Sequence, residues 1–302
     1  MTDIQENEKQ DKIYWHDAFF AALQLELHDY IDILIFEDER QLSKEALAMD
    51  VLIIKKIADV KIEKNIGQIF KGHNIFEYKS EKDNLSVWDY NKVMGYAFVY
   101  SAFEEIPVED ITISFVVTPK PIKLFDYLIN GRGFKITETT PGIYYIKGDT
   151  FRVQVIESKK LSKEENIFLK NLRSGLSNQD LENVLRVFIR YGSLEKVNIY
   201  LNRLLNANLS ILKEGFAMLD TAVIDVIYNH FEKNETLLER FLRRDAVKDA
   251  IYKHFEKNGT LNNDAEERVK DYAVKMLKKG YPPEEIADNL DMPIEWIQSL
   301  EI

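Results

Sequence analysis

Asn74-Ile75-Phe76-Glu77-Tyr78-Lys79-Ser80 is the stretch of sequence that decides the fold of this chain. Its apolar residues are typical of a strand, yet a glutamate and a lysine stand two positions apart within it. Because side chains alternate across a strand, Glu77 and Lys79 project from one face and Tyr78 from the other. Charged groups are costly to bury unless they are paired or bind a metal. The stretch therefore predicts a strand that carries either a metal site or a simple Glu77–Lys79 surface pair on an edge.

A second acidic residue stands at the start of another apolar run. Asp50 directly precedes Val51-Leu52-Ile53-Ile54, and this near-continuous apolar run indicates a buried strand. If the two strands pair so that Asp50 lies beside Glu77, two carboxylates and one ammonium meet at one end of the sheet. Carboxylate and carbonyl oxygens are the ligands that Mg²⁺ prefers. The two stretches together predict a site for one divalent cation.

The elements around these two strands are expected in the order helix, three strands, helix, strand. The first helix is predicted to be amphipathic, and Ser86 or Asn84 is expected to cap the second. A short helix and three smaller strands are expected to follow. The predicted bounds are Tyr14–Tyr30, Ile31–Phe36, Glu45–Lys56, Asn74–Ser80, Ser86–Phe103, Asp110–Thr118, Ile122–Asn130, Phe134–Thr139, Gly142–Gly148 and Phe151–Ile156.

Beyond a polar boundary near Leu161 the pattern becomes helical almost to the last residue. We therefore expect an α/β domain (13–160) followed by a helical domain (161–302). A disordered leader (1–12) is expected before them. An eleven-residue motif at 227–237 recurs at 251–261, but two copies are too few for a solenoid.

The segment 281–302 has the spacing of a small helix-turn-helix. It contains no lysine or arginine, and a DNA-reading helix normally needs basic neighbours for the phosphates. A packing or protein-contact role is therefore favoured over DNA reading, with Ile294, Trp296 and Ile297 as the apolar contacts.

Composition excludes several classes of site. The sequence has no cysteine, which excludes disulfides, thiolate zinc sites and cysteine nucleophiles. It contains neither a phosphate-binding loop nor a dinucleotide-binding glycine motif. No apolar run approaches the roughly 18 residues that cross a bilayer, and we expect a cytoplasmic protein with no membrane segment. The net charge of −11 argues against avid non-specific binding of nucleic acid. Lysines nevertheless cluster around the two acidic strands; they are Lys55, Lys56, Lys61, Lys64, Lys71, Lys79, Lys82 and Lys92.

Asp50, the Glu77-x-Lys79 strand and the following Leu85–Ala97 stretch resemble the PD-(D/E)XK nuclease superfamily. The pattern is most similar to the bacterial branch of PD-(D/E)XK nuclease-family transposases and recombination-promoting nucleases. The resemblance covers roughly residues 14 to 170 and continues through Pro141–Gly148. One position departs from the family, because Met49 stands where the family has a proline before the aspartate. That proline is not a metal ligand.

The resemblance implies a restriction-endonuclease-like core and a Mg²⁺- or Mn²⁺-dependent endonuclease that acts on nucleic acid, with DNA as the expected substrate. It makes Asp50, Glu77 and Lys79 the catalytic residues. The metal ligands would be Asp50, Glu77 and the backbone carbonyl of Tyr78. Glu26 on the first helix is a further candidate ligand, and the alternative for Glu26 is a solvated carboxylate on the helix surface. Lys79 would orient the attacking water or stabilise the developing charge.

Two further expectations concern partners. Cleavage of both strands of a duplex by a single-site fold would need two protomers, so a homodimer is expected if the substrate is a duplex. The alternative function is a catalytically silent PD-(D/E)XK scaffold whose helical half binds a partner protein; the acidic charge motivates this alternative.

Overall fold

The computed structural model describes residues 15–37, 52–191, 195–208, 270, 273–274, 276–278, 281–290 and 293–300. The predicted leader, Asp50 and the repeated motif lie outside these residues. The chain divides into two compact units, which are described separately. The first comprises Met1–Leu176 and Tyr191–Ala207, and the second comprises Ser177–Arg190 and Asn208–Ile302.

The first unit is a mixed α/β structure built on a seven-stranded sheet. Its strands are β1 (Leu34–Glu37), β2 (Leu52–Lys56), β3 (His73–Lys79), β4 (Ile111–Val117), β5 (Lys135–Thr140), β6 (Ile143–Lys147) and β7 (Arg152–Glu157). Its helices are α1 (15–26), α2 (Val87–Glu104), α3 (Ile122–Asp126), α4 (Ile167–Lys170) and α6 (Glu195–Ala207). Up to β4, the described elements follow one another in the predicted order of helix, three strands, helix and strand.

The strands lie in the order β1-β2-β3-β4-β7-β6-β5. The outer pairs on both sides are antiparallel, whereas β3, β4 and β7 run parallel. Every residue of the central strand β4 is buried, as expected of a strand that is covered on both faces. Lys79, Val117 and Glu157 are in register at the carboxyl ends of the three parallel strands. Polar side chains that follow these strands therefore gather at one edge of the sheet.

Helices cover both faces of the sheet. Ile75 of β3 and Phe115 of β4 belong to a buried apolar cluster with Tyr90 and Val93 of α2. On the opposite face the Phe19 ring of α1 stacks on the Tyr78 ring, with 4.7 Å between the ring centroids. Glu77 and Lys79 alternate with Tyr78 along β3, so their side chains project to the α2 side.

Helix α1 is not amphipathic as predicted, because residues 18–27 are buried with the single exception of position 20. A second layer of chain covers the side of α1 that faces away from the sheet. The Arg203 guanidinium of α6 lies 4.2 Å from the centroid of the Trp15 ring, and the Tyr200 hydroxyl donates to the carbonyl of Phe168 at 2.7 Å. Helical periodicity alone could not predict this second layer, since its residues lie far along the sequence.

The segment predicted as the first strand divides into two parts. Residues His28–Ile33 form a 3₁₀ helix, and β1 begins only at Leu34. A similar difference occurs after α3, where the predicted helix to Asn130 ends as a π turn at Tyr127–Gly131. The three small strands predicted after it are β5, β6 and β7, and they extend the main sheet.

Helix α2 begins with a capping box, and Ser86 is the predicted N-cap. The Ser86 hydroxyl accepts a hydrogen bond from the Asp89 amide at 3.1 Å, and the Asp89 carboxylate accepts one from the Ser86 amide at 2.9 Å. The reciprocal pair satisfies two amides that a helix start otherwise leaves without partners. It also fixes the direction of the Asp89 side chain.

The described part of the second unit contains α5 (Asn178–Tyr191), whose last residue is assigned to the first unit, together with α7 (Pro283–Leu290) and α8 (Ile294–Gln298). As predicted for the final segment, Ile297 is buried in a small apolar cluster, and Ile294 and Trp296 pack against it. Among the helices that the structure describes, none combines the length and the apolar character that a bilayer crossing requires.

Candidate metal site at the end of strand β3

The Glu77 and Lys79 side chains meet at the carboxyl end of β3. The Lys79 ammonium lies 3.0 Å from Oε1 of Glu77, and only 15% of each side chain is exposed. The pair therefore lies in the α2 face of the sheet rather than on a solvated edge. Because ionised groups lose hydration energy when they are buried, a pair in this position needs further polar partners.

Asp89 supplies such a partner and completes a group of three charged side chains. Its Oδ1 lies 3.0 Å from the Lys79 ammonium, and its Oδ2 accepts from Ser86. Lys79 is therefore held between two carboxylates, one from β3 and one from the first turn of α2. Asp89 is not among the site residues predicted from the sequence. The Ser86-x-x-Asp89 spacing, which is typical of a capping box, is the feature that could have placed it beside the strand end.

The pKa values at the site follow from burial and from the three charges. Burial raises the pKa of the Glu77 carboxyl, although the charges of Lys79, His16 and Lys92 oppose this shift. Burial alone would lower the pKa of Lys79, but Glu77 and Asp89 outweigh it and raise that pKa. For Asp89, burial is outweighed by the bonds from Ser86 and Lys79, and its pKa is lowered. Lys79 and Asp89 are therefore charged at neutral pH, whereas Glu77 holds its proton more tightly than an ordinary glutamate.

Three polar or charged side chains of α2 near the site separate into two groups. Tyr90 and Tyr96 are buried, and the Tyr90 hydroxyl donates to Asp149 at 2.6 Å, which supports packing roles for both rings. Lys92 is exposed, and its ammonium lies 5.4 Å from the centroid of the Tyr96 ring. Its charge also acts on the Glu77 carboxyl. Lys92 is therefore the cation of α2 that remains available near the site.

Glu26 lies elsewhere, on the α1 side of the sheet. Its Oε1 accepts hydrogen bonds from the amides of Phe168 and Leu169 at 2.8 and 3.1 Å, and its Oε2 lies 2.8 Å from the Lys64 ammonium. On α1, the residue whose charge acts on Glu77 is His16. Glu26 lies about 15 Å further along the same helix. The Glu26 side chain is neither a solvated surface carboxylate nor part of the group at Glu77. It ties α1 to the start of α4.

Two predicted ligands remain to be placed. Asp50 lies outside the described residues, and β2 begins two residues after it, where Leu52 pairs with Phe76. Tyr78 lies between Glu77 and Lys79, with its buried ring on the opposite face and its hydroxyl 3.3 Å from the carbonyl of Leu172. Its backbone carbonyl as a metal ligand stays a prediction.

Most lysines that cluster around the motif in sequence have carboxylate partners in the structure. The charges of these lysines are therefore balanced by neighbouring carboxylates. The pairs are Lys55–Glu37, Lys56–Asp59, Lys61–Glu63, Lys64–Glu26 and Lys79–Glu77.

The arrangement combines a fixed ammonium with two carboxylates at the end of a strand. Each carboxylate has two oxygens, and Lys79 contacts one oxygen of each. Within the described residues no group of three histidine, aspartate or glutamate side chains is placed to hold a metal ion. Asp50, the further ligand predicted for a divalent cation at Glu77, lies outside those residues.

Metal binding at Glu77 is expected to be pH-dependent. A cation must displace the proton of Glu77, and burial raises the pKa of this carboxyl above the ordinary 4.5. We therefore expect Mn²⁺ affinity, measured by calorimetry, to keep rising as the pH rises above that value. Lys79→Met removes the charge that lowers the pKa of Glu77, so the rise should move to still higher pH. Lys61→Met, at an exposed pair with the same two-residue spacing, is the control that should leave the profile unchanged. A profile that is flat above pH 4.5 would contradict a raised pKa of Glu77.

Comparisons of the chain with protein-family models, with curated proteins and with solved structures gave no match.

Proposed function

We propose that this chain is a metal-dependent phosphodiesterase of the PD-(D/E)XK type that cleaves nucleic acid, with DNA as the expected substrate. The observation that carries the proposal is the Lys79 ammonium, held 3.0 Å from Glu77 and 3.0 Å from Asp89 at the end of a buried strand. The order of elements supports it as well. A helix, three antiparallel strands, a helix and a parallel strand are the core that the resemblance implies.

The chemistry of phosphodiester cleavage explains why these groups are needed. The bond resists attack because the phosphate is anionic and the leaving alkoxide is a poor leaving group. When bound, Mg²⁺ or Mn²⁺ neutralises phosphate charge and lowers the pKa of a coordinated water. Glu77 and Asp50 would hold the ion. Lys79, already fixed by two carboxylates, would orient the water or stabilise the charge that develops on the phosphate. Asp89 would act through Lys79 as a positioning residue.

The register of β2 sets a condition on this site. Leu52 pairs with Phe76, whose side chain lies on the Tyr78 side of β3. An uninterrupted antiparallel ladder would carry Asp50 to the same side, away from Glu77, because side chains alternate strictly. Convergence of Asp50 and Glu77 therefore requires the backbone to leave the ladder between Asp50 and Leu52, as a β-bulge does. Such bulges are frequent beside active sites and redirect a side chain.

The direct test is a cleavage assay with the full-length protein. We expect nicking or cutting of single- or double-stranded DNA with Mg²⁺ or Mn²⁺, none in EDTA, and none by Asp50→Ala. A folded protein that cleaves no DNA or RNA substrate, or whose activity survives Asp50→Ala, contradicts the proposal. Calorimetry that detects no divalent cation, together with a tight protein partner, would favour the catalytically silent scaffold.

A further inference from the structure

Trp88 is the most exposed large apolar side chain among the described residues, at 80%. It lies on the first turn of α2, directly before Asp89, which contacts Lys79 at 3.0 Å. Tryptophan is mostly buried in proteins, and a flat indole beside a polar site is typical of a binding surface. An indole in this position can stack on a ligand that presents a flat face next to the Glu77–Lys79 pair.

The same face of α2 offers a cation. Lys92 is four residues after Trp88, so the two side chains are neighbours on the helix surface, and both are exposed. The charge of Lys92 also acts on Glu77, which places the ammonium near the proposed reaction centre. Gly95 follows on this face, and a Cβ built on it would meet nothing within 4 Å. An aromatic plane, an ammonium and an open stretch of helix thus lie in sequence along one side of α2.

We infer that Trp88 stacks on an unpaired base of a single-stranded segment of nucleic acid, while Lys92 binds an adjoining phosphate. Aromatic side chains combined with basic groups are how proteins hold single strands without reading their sequence. A base within a duplex already has both faces covered by its neighbours, so this surface selects single strands, frayed ends or bubbles. The position of the scissile phosphate at Glu77 rests on the proposed function, whereas stacking on Trp88 does not require cleavage.

The test measures binding without turnover. A labelled oligodeoxythymidylate is titrated with the full-length protein in EDTA, and the quenching of tryptophan fluorescence is recorded in parallel. We expect Trp88→Ala to weaken binding roughly tenfold or more, as loss of one stacked base does, and to remove most of the quenching. Trp88→Phe should retain much of the affinity. Phe103→Ala is the matched control, because Phe103 is 70% exposed at the far end of the same helix; it should leave binding unchanged.

Combining the Trp88→Ala variant with modified oligonucleotides identifies the base that stacks on Trp88. Oligonucleotides that carry one abasic site at successive positions should lose affinity for the natural protein at one position. At that position the Trp88→Ala protein should lose nothing further. Equal losses in both proteins at every position would overturn the inference, as would a Trp88→Ala protein that binds as tightly as the natural one. Tighter binding of the matching duplex than of the single strand would also overturn it.

The two proposals fail separately. If the protein cleaves DNA in a way that depends on Asp50 and Glu77, but Trp88→Ala leaves binding in EDTA unchanged, the stacking is overturned and the phosphodiesterase proposal stands. Coupling between Trp88 and one base in a protein that cleaves nothing supports the stacking and contradicts the phosphodiesterase.

Discussion

If the proposed function is right, replacing Glu77 with glutamine is expected to lower kcat/KM for Mg²⁺-dependent DNA cleavage by on the order of 10³-fold, because the proposed metal would lose a carboxylate ligand. Glutamine keeps the size of the side chain and one oxygen, so the strand and its packing should persist. The loss should appear mainly as weaker metal binding and a lower kcat. The assay is initial-rate cleavage of a labelled DNA substrate over a range of Mg²⁺ concentrations.

The control for this variant is Glu63→Gln. Glu63 also pairs with a lysine two residues away, with 2.8 Å between Lys61 Nζ and Glu63 Oε1, but both side chains are largely exposed. We expect this variant to cleave at the rate of the natural protein. Equal activity of the two variants, with Glu77→Gln folded by circular dichroism, would show that the buried pair has no role in catalysis.

Glu26→Ala is expected to destabilise the fold by roughly 3–5 kcal/mol, the cost of removing one partner of a buried ion pair. The Lys64 ammonium would lose its carboxylate, and the amides of Phe168 and Leu169 would lose their acceptor. The free energy of unfolding by urea measures the loss. Glu63→Ala, at the exposed pair, should change it by no more than about 1 kcal/mol.

Glu26→Gln separates the hydrogen bonds from the charge. Burial raises the pKa of Glu26 despite the opposing charge of Lys64. A raised pKa in the folded state means that ionisation of Glu26 costs stability as the pH rises above its ordinary value. The uncharged glutamine can still accept from both amides but leaves Lys64 without its carboxylate, so we expect it to recover only the part of the alanine loss that the two hydrogen bonds account for. A glutamine variant as unstable as the alanine variant would show that the charge itself holds α1 to α4.

Local patterns in the sequence predict much of the fold. The apolar run of β4 and the Ser86 cap of α2 depend on neighbours a few residues away, and both are found where they were expected. The insertion of β7 beside β4, parallel to it, depends on pairing between residues some forty positions apart, such as Thr112 and Arg152. Periodicity along one strand carries no information about such a partner.

In the candidate site, too, local contacts can be predicted from the sequence and distant contacts cannot. The Glu77–Lys79 pair follows from the two-residue period of a strand, and the structure brings the two side chains together. Asp89 joins them from the next helix, where the helix cap fixes the direction of its side chain. Glu26 was predicted from the resemblance, but it bonds to residues more than 140 positions away, a contact that no local pattern contains.

The most direct test of the account is a crystal structure of the full-length protein grown with Mn²⁺, in which anomalous scattering locates the ion. We expect one Mn²⁺ bonded to carboxylate oxygens of Asp50 and Glu77, with the Lys79 ammonium nearby and the backbone bulged between Asp50 and Leu52. A structure in which β2 continues its regular ladder, with Asp50 on the Tyr78 side and no ion at Glu77, would contradict it.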